Sequence, residues 1–177
     1  MTRLKIDQFM EALGRRVRRP ALIYLVGGST AVLHGWRDST IEIDLFIDGE
    51  PDEVLRRIPE LKEELLINVE LAAPHDFIPS LPGWEQRSHS IGHRGAIDFF
   101  HYDYESQALA KLERAHHQDL EDVRMMAGRS LIRPERLADR FEEIRDRLYR
   151  YPAVDAAAFE QRILAFIEET LPRESER

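Results

Sequence analysis

The stretch YLVGGSTAVLHGWRDSTIEIDLF, residues 24–46, decides how this chain is read. An apolar run, Ala21 to Val26, stops abruptly at Gly27, Gly28 and Ser29. A short helical pattern follows, opened by Ser29 and closed by Gly35. Thr40 to Ile47 then alternates apolar and polar residues, which predicts a strand. Residues two apart in a strand share a face, so Ile41, Ile43 and Leu45 are expected to enter a core. Glu42 and Asp44 share the other face, with Cα atoms about 7 Å apart. Two carboxylates this close repel unless water or a cation screens them.

Outward from this stretch, Ile6, Phe9, Met10, Leu13 and Val17 recur at helical spacing, and Pro20 ends the predicted helix. Asp48 to Pro51 has turn composition, and Asp52 to Leu65 reads as a helix interrupted by Pro59. Ile67 to Ala72 alternates again, and Pro74, Pro79 and Pro82 mark a loop. Ser88 to Gly92 and Ala96 to Tyr102 predict a hairpin around His93, Arg94 and Gly95. From Glu105 onward the pattern is helical, with Pro134 placed to start a helix and Pro152 to separate the last two. The order predicts an α/β (α+β) fold, a small mixed sheet with helices packed on it and a helical C-terminal extension.

The 177 residues suit one domain, or one domain with such an extension. Hydrophobic residues at 43% and charged residues at 33% place the chain among folded globular proteins rather than disordered ones. A net charge of -8 argues against general nucleic-acid binding, which needs clustered cations. The exception is RRVRR, Arg15 to Arg19, which reads as the solvated C-terminal end of the first helix. The absence of cysteine excludes disulfides and Cys zinc sites and fits a cytoplasmic protein. No apolar stretch approaches a membrane span, so no membrane partner is expected. The seven histidines show no helical His-x-x-x-His pair beside an acid, so zinc is not argued.

The glycines and the acids complement each other. Without Cβ atoms, Gly27 and Gly28 let backbone approach a phosphate closely. Ser29 sits where a helix begins, and helix N-termini attract anions. Magnesium prefers carboxylates plus substrate phosphates to an all-protein cage. Glu42 and Asp44 therefore form a plausible half-site for Mg²⁺ or Mn²⁺ that also grips a nucleoside triphosphate. Each part alone is common; their order is far more specific.

Strand, Gly-Gly-Ser, short helix, then acid-apolar-acid resembles the polymerase-beta-type nucleotidyltransferases. It resembles especially their minimal and abortive-infection (AbiEii)-type members. Twelve residues separate Ser29 from Glu42, which fits, although Asp is more usual than Glu at the first acidic position. The resemblance implies a nucleotidyltransferase-like core over residues 1–104 with a helical subdomain over 105–177 packed on it. It implies an NTP held by Gly27, Gly28 and Ser29, with metal on Glu42 and Asp44. It also implies a third carboxylate that helps deprotonate the acceptor. Two residues qualify: Glu70, preferred because its strand comes one helix later, and Asp98 as its rival. Lys111 and Asp119 match positions that contact nucleotide in relatives, whereas Asp122 reads as structural. His116 and His117 are adjacent on a helix, so at most one would face the nucleotide. Trp36 and Trp84 read as packing residues rather than base-stacking ones. The acceptor would be a protein, an RNA end or a small molecule, and a cognate antitoxin or other partner protein is implied. The alternative is a nucleotide-binding or regulatory module of the same fold with weakened turnover.

Overall fold

The computed structural model describes residues 1–49 and 52–171, so the end of the predicted turn, at residues 50–51, lies outside the described residues. The chain forms two compact units. The first holds residues 1–73 and 87–102, and the second holds residues 74–86 and those from 103 onward.

The first unit is a mixed α/β layer structure. Its elements are α1 (Arg3–Arg16), β1 (Ala21–Leu25), α2 (Gly27–His34), β2 (Ile43–Asp48), α3 (Asp52–Leu65) and β3 (Val69–Leu71). After the short helix α4 (Trp84–Arg87), where the chain passes between units, come β4 (His89–Arg94) and β5 (Ile97–His101). The five strands lie in the order β3-β2-β1-β5-β4. β1 runs antiparallel to β2 and parallel to β5, β2 is parallel to β3, and β4 is antiparallel to β5. Ile23, Leu25, Ile43, Leu45, Ile97 and Phe99 form the inner face of the sheet. Ile6, Phe9 and Leu13 of α1 and Val54, Ile58 and Leu61 of α3 complete that core. Both helices place these residues at three- and four-residue spacing, as a single buried stripe requires.

The structure corrects four sequence expectations. β2 begins at Ile43 rather than Thr40, and Ile41 is 80% exposed instead of buried. The reason is that Thr40 N–H donates to the Met1 carbonyl and Ser39 bridges Thr2, so this segment follows the N-terminus and not the sheet. Second, α2 starts at Gly27, two residues before Ser29. Third, α3 runs unbroken through Pro59. Pro59 lies on the exposed face of α3, where water can satisfy the carbonyl its ring leaves unpaired. Fourth, the strand expected over Ile67 to Ala72 is only three residues long, at the sheet edge.

The hairpin turns at Gly95, which lies against α1. A Cβ on Gly95 would lie 1.9 Å from the Gly14 carbonyl oxygen, and one on Gly14 would lie 2.5 Å from the Arg94 oxygen. Gly95 also has φ +62, which penalises any side chain. Gly95→Ala should therefore destabilise the protein by about 3 kcal/mol through overpacking and backbone strain. Chemical denaturation measures this, and an unchanged midpoint would mean the helix and hairpin are not in backbone contact.

The second unit is helical: α5 (Tyr104–Arg114), α6 (His117–Gly128), α7 (Leu137–Arg145) and α8 (Ala156–Thr170). Asp103 caps α5 by accepting the Ser106 N–H, and Asp155 caps α8 by accepting from Ala157 and Ala158. Pro134 opens a 3-10 turn that leads into α7. Phe141 and Phe159 meet edge-on at 5.0 Å between α7 and α8. Among the described residues, no helix is long and apolar enough to cross a membrane.

Candidate functional site

β2 and β3 bring the acids together. Ile43 N–H donates to the Asn68 carbonyl at 2.9 Å, which starts the parallel ladder and sets Asp44 in register with Glu70. Parallel partners in register share a face. Glu42 lies one residue before the strand. One oxygen from each of Glu42, Asp44 and Glu70 lies within 4.8 Å of the others. Among the described residues, this is the only such group of three.

The electrostatics of this cluster are unfavourable without a cation. Burial pushes the Glu42 carboxyl above its ordinary value, and the charge of Glu70 and a hydrogen bond to it push in the same direction. Two carboxyls share a hydrogen bond only when one carries a proton, so full ionisation is resisted. An all-oxygen, anionic donor set is what Mg²⁺ and Mn²⁺ select, and a bound cation turns the repulsion into attraction.

The glycine turn lies against this cluster. Gly27 has φ +57, and a Cβ there would sit 3.0 Å from Asp44 Oδ2. A Cβ on Gly28 would sit 2.2 Å from Thr40 Oγ1. Space therefore excludes a side chain at Gly28, and the positive φ penalises one at Gly27. Ser29 is fully buried, and its Oγ accepts the Asp44 N–H at 3.2 Å. The Asp44 carbonyl accepts the Val26 N–H at 3.1 Å. Turn and acid are thus tied through both backbone polar groups of Asp44. Because α2 opens on the two glycines, their N–H groups belong to its first turn, the end of a helix that favours anions.

Asp98, the rival third acid, lies elsewhere. It pairs in register with Leu22, near the opposite end of β1 from the glycine turn, and its Oδ1 is 2.7 Å from His93 Nδ1. The geometry gathers Glu70 with Glu42 and Asp44, and leaves Asp98 out.

Sequence reasoning missed the brace behind α2. Thr30 Oγ1 donates to the Leu25 carbonyl, and His101 Nδ1 is 3.2 Å from the same hydroxyl. This brace spans 71 residues, so no local pattern announces it. Burial, with His34, His89 and Arg3 nearby, pushes the His101 pKa from 6.5 down to about 3. The folded state holds the imidazole neutral, whereas the unfolded chain protonates it near pH 6.5. Stability from this residue is complete above that pH and is lost as pH falls toward 3. From pH 7 to pH 5 the unfolding free energy should drop by about 2 kcal/mol on its account. His101→Asn should flatten that slope in denaturant titrations at the two pH values, and an unchanged slope would contradict it.

In the second unit, a break at Ala115 (φ +53) and His116 folds α6 back beside α5. Lys111 Nζ then donates to Asp119 Oδ1 at 2.9 Å and Asp122 Oδ2 at 2.7 Å, all three residues being buried. Arg114 also donates to both Asp119 oxygens and lies over the Phe77 ring. Burial works to raise the Asp119 carboxyl, but the Arg114 hydrogen bonds and the Lys111 charge outweigh it and hold the group below its ordinary value. His117 is exposed and faces Glu121. Trp84 is buried, and Trp36 stacks on His34 at 5.3 Å.

Residues 2–168 match a family described as "nucleotidyltransferase of unknown function", DUF6036. No curated protein and no solved structure matches the chain. The match covers nearly the whole sequence, so the chain belongs to this nucleotidyltransferase family.

Proposed function

We propose that the chain transfers a nucleoside monophosphate from an NTP to a hydroxyl acceptor, with Glu42, Asp44 and Glu70 as the acidic centre. The observation that carries this reading is the meeting of three carboxylates within 4.8 Å beside a turn that excludes side chains. Mg²⁺ or Mn²⁺ would be held by Glu42, Asp44 and Glu70, and when bound supplies neutralisation of the triphosphate charge. Gly27 and Gly28 offer backbone N–H groups to phosphate oxygens at close approach. Ser29, fully buried, positions Asp44 by accepting its backbone N–H. Glu70 accepts the proton of the acceptor hydroxyl, whose oxygen attacks the α-phosphorus. The bond from that phosphorus to the bridging oxygen breaks, and pyrophosphate leaves with the electron pair.

Lys111 and Asp119 enter as nucleotide contacts on the strength of the resemblance. Their mutual ion pair means that an incoming phosphate would compete with Asp119 for the ammonium. The AbiEii-type resemblance further supports a cytoplasmic toxin–antitoxin or phage-defence setting with a protein or RNA acceptor.

The test is incubation with α-labelled NTPs, Mg²⁺ or Mn²⁺, and protein, RNA and small-molecule acceptors. Labelled product with stoichiometric pyrophosphate is expected. If nothing is labelled, while NTP with Mn²⁺ still raises the melting temperature, the protein is a nucleotide-binding module and the transfer reading fails.

A further inference from the structure

The run Arg15 to Arg19 is not simply the end of a helix. α1 stops at Arg16, so Arg18 and Arg19 lie in the link to β1. There they face the first turns of α3. Arg18, Arg19, Glu53, Arg56, Arg57 and Glu60 line a concavity of about 590 Å³. Its lining carries a surplus of two positive charges on a chain whose net charge is -8.

The two acids are already counted in this surplus, and both are engaged by neighbouring groups. The Glu53 oxygens accept the backbone N–H groups of Arg18 and Arg19, each at 3.0 Å. These bonds are the main reason its carboxyl is held below its ordinary value. Glu53 therefore fixes the link mainly through its backbone, with the charges of Arg19 and Arg57 adding to this. Glu60 accepts from Arg57 at 3.3 Å. Among the described residues, neither Arg18 nor Arg56 has an ion pair, and both are exposed.

We propose that this cleft holds the phosphate backbone of a single-stranded nucleic acid, the strand whose terminal hydroxyl is the acceptor. The inference rests on the nucleotidyl-transfer reading only for what the bound strand is for. The cations are all arginine, with no lysine among the lining residues, and guanidinium forks match phosphate oxygens two at a time. The cleft lies at the start of β1 on the face that α1 and α3 cover, and Asp44 and Glu70 lie toward its end on the other face, so about 17 Å of strand rise is the least distance between them. A strand anchored in the cleft by its backbone must pass the edge of the sheet to bring its end to Glu70, which takes several nucleotides. This spacing assigns the cleft to holding the acceptor, away from the reacting atoms.

The experiment uses the full chain and a fluorescein-labelled single-stranded RNA 12-mer, followed by anisotropy over a salt series. Wild type should bind with a steep salt dependence. Arg18→Glu with Arg56→Glu should weaken binding about tenfold or more, and the log–log salt slope should fall by about 1.4 with the loss of two phosphate contacts. Mn²⁺–NTP stabilisation of the same variant should remain at the wild-type level, which also shows that it folds. A charge-matched variant of the helical unit, Arg133→Glu with Arg136→Glu, should keep RNA binding. Unchanged affinity in the cleft variant, or no RNA binding by wild type, overturns the proposal. So does tighter, cleft-dependent binding of a labelled poly-glutamate peptide, which would assign the cleft to an acidic protein. RNA binding that persists in a protein showing no Mn²⁺–NTP stabilisation supports the cleft and counts against the acid-cluster reading.

Discussion

Replacing Asp44 by Asn is expected to lower nucleotidyl transfer on the order of 10³-fold, several kcal/mol of transition-state charge stabilisation. Thermal stability should not fall, because the change removes one charge from a crowded anionic cluster. Stabilisation by Mn²⁺–NTP should be lost in the same variant. Two companion variants separate the rival third acids. Glu70→Gln should cost about 10²–10⁴-fold, the usual worth of a positioned general base. Asp98→Asn should leave turnover near wild type, since its carboxylate pairs with His93 away from the cluster. Loss of activity in Asp98→Asn with full activity in Glu70→Gln would reverse the assignment. Glu70→Gln should also stabilise the fold slightly in chelator, by well under about 1 kcal/mol, because water screens a pair of which Glu70 is exposed and Glu42 only half-buried.

The second large effect concerns Lys111. Its ammonium is the shared donor to two buried aspartates, so Lys111→Met takes a cation from both Asp119 and Asp122. Removing one partner of a buried ionic network costs about 3–5 kcal/mol. Adding Asp122→Asn to Lys111→Met should recover part of that loss, as a buried anion that has lost its Lys111 counter-charge is then removed. Denaturant midpoints of the single and double variants measure both steps. If Lys111→Met unfolds at the wild-type midpoint and only Mn²⁺–NTP stabilisation suffers, Lys111 acts purely as a nucleotide ligand.

What the sequence revealed and what it hid have physical causes. Gly27, Gly28, Glu42 and Asp44 were legible because a glycine turn and a period-two strand are local patterns. The strand boundary was not, because Thr40 takes its backbone partner from Met1, 39 residues before it. Alternation continued through Ile41 although the sheet did not. Pro59 misled for a related reason: its cost depends on which way the helix faces, which spacing alone does not state. The meeting of Lys111 with Asp119 and Asp122 hangs on a left-handed Ala115, and alanine carries no signal for that conformation. Gly14 and Gly95, unremarkable in their own segments, are explained only by each other. The arginine run was visible from the start, but its partners on α3 lie across the fold.

The most direct measurement is anomalous diffraction from crystals grown with Mn²⁺ and a non-hydrolysable NTP analogue. The expected result is a manganese peak among the oxygens of Glu42, Asp44 and Glu70, with the triphosphate against the Gly27 and Gly28 backbone. A manganese peak that avoids all three carboxylates, or a triphosphate bound away from that turn, would contradict it.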